Sequence, residues 1–158
     1  MKKAILLLAF LFVSISSYSQ DFTILQKNKF ANAKDYKKAR PEILKLANYL
    51  LNTPAKPSTD NNKMAINYIY KWMTGSDFTF AITVEALILT KGPSELYTMY
   101  WACLTKIALT DPNSYNKMTD GEIYDIASKM LAEYCSERKN KLKPSKALKK
   151  IIKKMKKG

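Results

Sequence analysis

The sequence contains no histidine, and only four glycines and two cysteines, in 158 residues. Without imidazole there is no Ser-His or Cys-His nucleophile pair and no histidine-ligated metal site, the commonest foundations of a small hydrolase or metalloenzyme. No glycine-rich phosphate loop and no nucleophile elbow occurs. The two cysteines lack CxxC spacing, which argues against a redox motif. These absences speak against an enzyme, and the sequence calls for no cofactor. Acid is scarce too: 13 Asp plus Glu face 27 Lys plus Arg, a net charge of +14. The length suits one compact domain.

The longest apolar run is at the start. Lys2 and Lys3 precede an unbroken stretch from Ala4 to Val13, followed by small and polar residues ending in Ser19-Gln20. This is the layout of a secretory signal peptide over residues 1–20, and the run falls short of the roughly 20 apolar residues that a spanning helix needs. No later stretch reaches that length, so the mature form is expected to have no transmembrane span. With no cysteine after the run, a lipoprotein anchor is excluded. Cleavage after Gln20 leaves 138 residues at net +12, enough to bury about two thirds of the unfolded surface. The expected destination is the periplasm or the medium.

The rest reads as an all-α domain, an irregular bundle of five or six helices packed as antiparallel hairpins. From Asp35 to Leu51, apolar residues recur every three or four positions, with the regular helix expected to begin at Pro41 or kink there. Ser58, Thr59 and Asp60 offer caps for a second helix ending near Gly75. Phe78 to Thr90 is ambiguous, since Phe78, Phe80, Ile82 and Val84 alternate while Val84, Leu87 and Ile88 fit a helix. A lone strand would have no partner, which favours helix. Ser94 is expected to cap a central helix running to Leu109. Thr119 and Glu122 have capping-box spacing ahead of the stripe Ile123, Ile126, Ala127, Met130, Leu131, Tyr134 and Cys135. The expected organisation is a helical domain over 21–141 and a basic amphipathic C-terminal helix over 142–158.

Around Trp72-Met73-Thr74-Gly75-Ser76-Asp77-Phe78-Thr79-Phe80 and Thr90-Lys91-Gly92 the chain resembles uncharacterised exported helical proteins of Bacteroidota. That resemblance implies export and an α-fold, and carries no activity.

Positive charge is segregated. Between Ser136 and Gly158 there are eleven basic residues and one acid, a net of +10, while Asp21 to Cys135 nets +2. Lys146, Lys149, Lys150, Lys153, Lys154, Lys156 and Lys157 surround the stripe Leu148, Ile151, Ile152 and Met155, a basic amphipathic helix of the kind that lies on anionic surfaces. Either the stripe docks on the bundle with the lysines merely solvated, or the lysines meet an anionic counterpart. For an exported protein that counterpart is an anionic envelope lipid or polymer, or an acidic protein. Nucleic acid is disfavoured, because no aromatic follows Tyr134 to stack on bases.

Other constellations weigh less. Cys103 and Cys135 lie on apolar faces of neighbouring helices, and in an oxidising compartment a disulfide between them would contribute about 3.7 kcal/mol. The alternative is two buried thiols acting as small apolar residues. Asp111, Asn113, Thr119 and Glu122 match positions of a calcium loop, but Tyr115 and Asn116 stand where a ligand and a turning glycine are required. Asp120, Glu122 and Asp125 could supply an acid and a base, although the first turns of a helix explain them equally. Trp72, Trp101, Tyr97 and Tyr100 could line a sugar cleft, but their helical spacing suits a core. The lead expectation is an exported, non-enzymatic interaction protein that attaches through its lysine-rich helix. An inhibitor or immunity-type binder of another exported protein comes second, and a carboxylate enzyme third.

Overall fold

Asn32 opens the first helix. Its Oδ1 accepts the amides of Lys34 and Asp35 at 2.9 and 3.3 Å, and Asp35 Oδ2 accepts the Asn32 amide at 3.2 Å. This capping box starts α1 (Ala33–Asn52) eight residues ahead of Pro41, correcting the expected start. Pro41 and Lys37, the residue whose carbonyl loses its helical donor, are both exposed, so water can satisfy that carbonyl and the helix tolerates the proline. The protein is seen here as a computed structural model that describes Phe22 and residues 30–157. The segment expected to be a signal peptide lies outside the described residues.

Six further helices follow: α2 (Asp60–Met73), α3 (Val84–Leu89), α4 (Ser94–Thr110), α5 (Pro112–Tyr115), α6 (Asp120–Ser136) and α7 (Lys146–Met155). A 3-10 turn, Arg138–Asn140, precedes α7. The fold is an all-α bundle, with no strand among the described residues. Thr59 caps α2, and Thr119 with Glu122 forms the expected box on α6. Ser94 does not act as a cap. Pro93 holds the N-cap position without a side-chain bond, and Ser94 is the first helical residue.

The central helix is α4, packed against α1, α2 and α6, with Leu96, Met99, Tyr100, Cys103, Leu104 and Ala108 buried. Residues 78–83 are not helical, which corrects the first half of the helix expected over Phe78 to Thr90, while Val84–Leu89 is helical as α3. Phe78 and Phe80 instead form an aromatic cluster with Trp72 and Tyr115, at centroid separations of 5.7 to 6.1 Å. The Tyr115 hydroxyl donates to the Thr79 carbonyl at 2.9 Å, and Trp72 Nε1 donates to the Tyr36 carbonyl at 2.9 Å. Contacts to a remote helix thus hold a non-helical segment that local pattern reads as helix. Thr83 then caps the short α3 by accepting the Ala86 amide.

The chain between α6 and α7 is stitched to the bundle. Asn140 is buried, its Nδ2 donates to the Tyr134 carbonyl at 2.8 Å, and its own carbonyl accepts the Ala55 amide at 3.1 Å. The Tyr134 hydroxyl donates to the Thr53 carbonyl at 2.7 Å. Leu142 and Leu148 are buried, and α7 packs against α6 and α3. These bonds and contacts determine which face of α7 meets the core.

Candidate functional site

Ser145 starts α7 by accepting the Leu148 amide on its Oγ at 3.0 Å. Leu148 anchors the helix in the core, Ile151 and Ile152 are half-buried, and Met155 is exposed at the end of the stripe. At about 100° per residue these four fall within about 100° of arc. On the same projection Lys146, Lys149, Lys150, Lys153, Lys154, Lys156 and Lys157 occupy about 160° on the opposite side. All seven are exposed. Docking of the stripe and solvation of the lysines therefore hold together.

None of these lysines is neutralised within the described residues. The ion pairs there are Lys37 and Arg40 with Asp77, Lys56 with Glu95, and Lys63 with Asp60. Although α6 lies against α7, its carboxylates Asp120, Glu122, Asp125 and Glu133 make no bridge to it among the described residues. The helix C-terminus stabilises Lys153 and Lys154 to some degree. Even so, within α7 the pairs Lys146–Lys150, Lys149–Lys153 and Lys150–Lys154 are four residues apart, where like charges destabilise a helix by about 0.2–0.5 kcal/mol each. The arrangement is a dense cationic face held rigidly by its apolar back.

The other expected constellations disperse. Asp111 accepts the Ser114 amide and hydroxyl at 3.1 and 2.6 Å and caps α5, whereas Glu122 accepts the Thr119 amide at 2.8 Å and caps α6. These hydrogen bonds hold both carboxyls below their usual range. Tyr115, between them, is buried. Among the described residues no three Cys, Asp or Glu side chains gather as metal ligands would. Asp120, Glu122 and Asp125 are all exposed. They line neither the groove of about 420 Å³ between α4, α5 and α6 nor the one of about 290 Å³ beside α2 and α4.

Trp72 and Tyr100 are core residues. Half-buried Trp101 and exposed Tyr97 separate from them and join exposed Tyr70 of α2, with both tyrosines edge-on to the indole at 5.6 and 6.2 Å. Cys103 and Cys135 are free, buried thiols on α4 and α6. Burial pushes the Cys135 thiol up to about 12, and burial with the neighbouring Cys135 raises Cys103 as well. Both thiols are therefore protonated and unreactive at neutral pH.

The sequence did not indicate the exposure of α3, where Val84, Leu87 and Ile88 face solvent while Ala86 and Leu89 are buried. No helix among the described residues is long and apolar enough to cross a membrane. No family model, curated protein or solved structure matches the chain.

Proposed function

We propose that this is an exported, non-enzymatic interaction protein of the periplasm or medium that attaches electrostatically to an anionic surface through α7. The observation that carries this reading is the face of seven exposed lysines without acidic partners among the described residues, on a helix anchored by Leu148. The N-terminal layout and the resemblance to exported Bacteroidota proteins support export. Lysine, a point charge without arginine's planar fork, suits diffuse attraction to phosphate or carboxylate more than a shaped pocket. Each lysine near an anionic bilayer contributes about 1 kcal/mol, so five or six acting together give strong but salt-sensitive attachment.

Deleting the tail is a poor test, because Leu142 and Leu148 belong to the core. Replacing Lys149, Lys150, Lys153, Lys154, Lys156 and Lys157 by glutamine preserves the docked face. This variant is expected to lose at least a hundredfold in affinity for polyanions and phosphatidylglycerol vesicles at low salt. Unchanged binding would remove α7 from the mechanism.

A second reading, a binder of another exported protein, rests on exposed Tyr70 and Tyr97 flanking the half-buried Trp101, since Tyr and Trp side chains are the types that anchor protein interfaces. That reading predicts a complex that survives moderate salt and is lost in Tyr70→Ala with Tyr97→Ala.

A further inference from the structure

On α3 the fold exposes the wrong face for an ordinary surface helix. Val84, Leu87 and Ile88 are 68%, 52% and 57% exposed, three branched aliphatic side chains on a helix of six residues. At about 100° per residue they share about 100° of arc, with Glu85 at its edge. Ala86 and Leu89 point the other way, into the core. α3 packs against α7, the helix that carries the seven exposed lysines, and exposed Lys91 lies two residues past the end of α3.

An exposed aliphatic cluster of this kind usually marks a contact surface. Its neighbour says what kind. A soluble polyanion such as heparin would satisfy the lysines but offers no hydrocarbon to the cluster, whereas an anionic bilayer presents phosphate at the level of ammonium groups and acyl chains immediately beneath. Peripheral proteins bind such surfaces by burying apolar side chains at the headgroup boundary while lysines meet the charge. We infer that α3 is a shallow insertion wedge and that the anionic surface engaged by α7 is a lipid bilayer.

This inference rests on the α7 reading, and one experiment on the full mature chain separates the two. Its probes are vesicles of phosphatidylglycerol mixed with phosphatidylcholine, vesicles of phosphatidylcholine alone, and soluble heparin. The combined variant Val84→Ser, Leu87→Ser and Ile88→Ser alters only solvent-facing side chains. It is expected to bind anionic vesicles at least tenfold more weakly than wild type and heparin equally well. The α7 glutamine variant is expected to lose both. A Leu87→Trp variant should gain a blue-shifted emission with anionic vesicles and none with heparin.

Equal vesicle affinity of wild type and the serine variant, or no blue shift from a vesicle-bound Leu87→Trp protein, overturns the wedge and leaves the lysine reading standing. Full vesicle binding by the glutamine variant overturns the lysine reading, and with it this inference. If the serine substitutions change only the protein's own oligomeric state, the face belongs to a second copy and the wedge is likewise overturned.

Discussion

Arg40 and Asp77 show how single side chains hold the aromatic segment in place. Arg40 donates to Asp77 Oδ1 at 2.6 Å, its guanidinium lies 4.8 Å from the Phe78 ring centroid, and Lys37 is 3.9 Å from the other carboxylate oxygen. The pair thus ties α1 to the non-helical segment that carries Phe78 and Phe80. The hydrogen bond from Arg40 is the largest cause holding the Asp77 carboxyl below its ordinary 3.8, against a smaller opposing cost of burial. A depressed carboxylate contributes stability above its unfolded value and loses it as pH falls through the folded one. Because Asp77 is about half exposed, solvent screens the pair and its worth is about 0.2–1 kcal/mol. Asp77→Asn should therefore lower the melting temperature by about 1–3 °C at pH 7. The gap from wild type should close in acid, below the ordinary carboxylate range. Paired thermal melts across that range check it, and a gap that stays constant with pH would show that the ion pair is not its source.

At the scale of elements, α7 depends on Leu148, which is fully buried beneath a helix otherwise coated with lysine. Leu148→Ala removes that anchor and should cost about 2–5 kcal/mol. An undocked α7 would be a ten-residue helix, too short to persist alone in water. The seven lysines would then become trypsin sites, so limited proteolysis should cleave the tail of this variant many times faster than that of wild type. Equal cleavage rates would mean that the helix is not held by its leucine. The elements legible from sequence were those whose determinants are local. The Thr119 and Glu122 box and the spacing of the α7 lysines each lie within a turn or two of chain. The start of α1 was hidden because Pro41 outweighed the Asn32 and Asp35 box as a signal. The turn α5 was missed although Asp111 followed by Pro112 carries its cap and first residue. The non-helical run at Phe78 and Phe80 was illegible because Tyr115, which holds it, lies more than thirty residues away. In α3 the periodicity of Val84, Leu87 and Ile88 identified a helix but not the side that docks. That side is set by Ala86 and Leu89, two residues that the pattern left out.

For the whole molecule, the separation of a nearly balanced body from a strongly positive end gives salt two opposing effects. Screening weakens attachment of α7 to any anionic surface, as the Debye length contracts to about 10 Å at 0.1 M. In the free protein the same screening relieves repulsion among lysines that have no acidic partners within the described residues. Three like-charge pairs within α7 at about 0.2–0.5 kcal/mol each leave about 0.6–1.5 kcal/mol to recover. The few favourable ion pairs are exposed and offset little of this gain. The free protein should thus melt several degrees higher at 0.5 M than at 0.01 M sodium chloride, and the α7 glutamine variant should show a much smaller rise. On the proposed attachment, anionic vesicles should raise the melting temperature at low salt by binding the folded state, and lose that effect as salt increases. Calorimetry of wild type and variant, each with and without vesicles, tests both signs at once. A melting temperature that falls with salt in the free wild type would mean that attractive pairs, not lysine repulsion, dominate its electrostatics, and lysine repulsion would no longer support the proposed attachment of this end of the molecule to an anion.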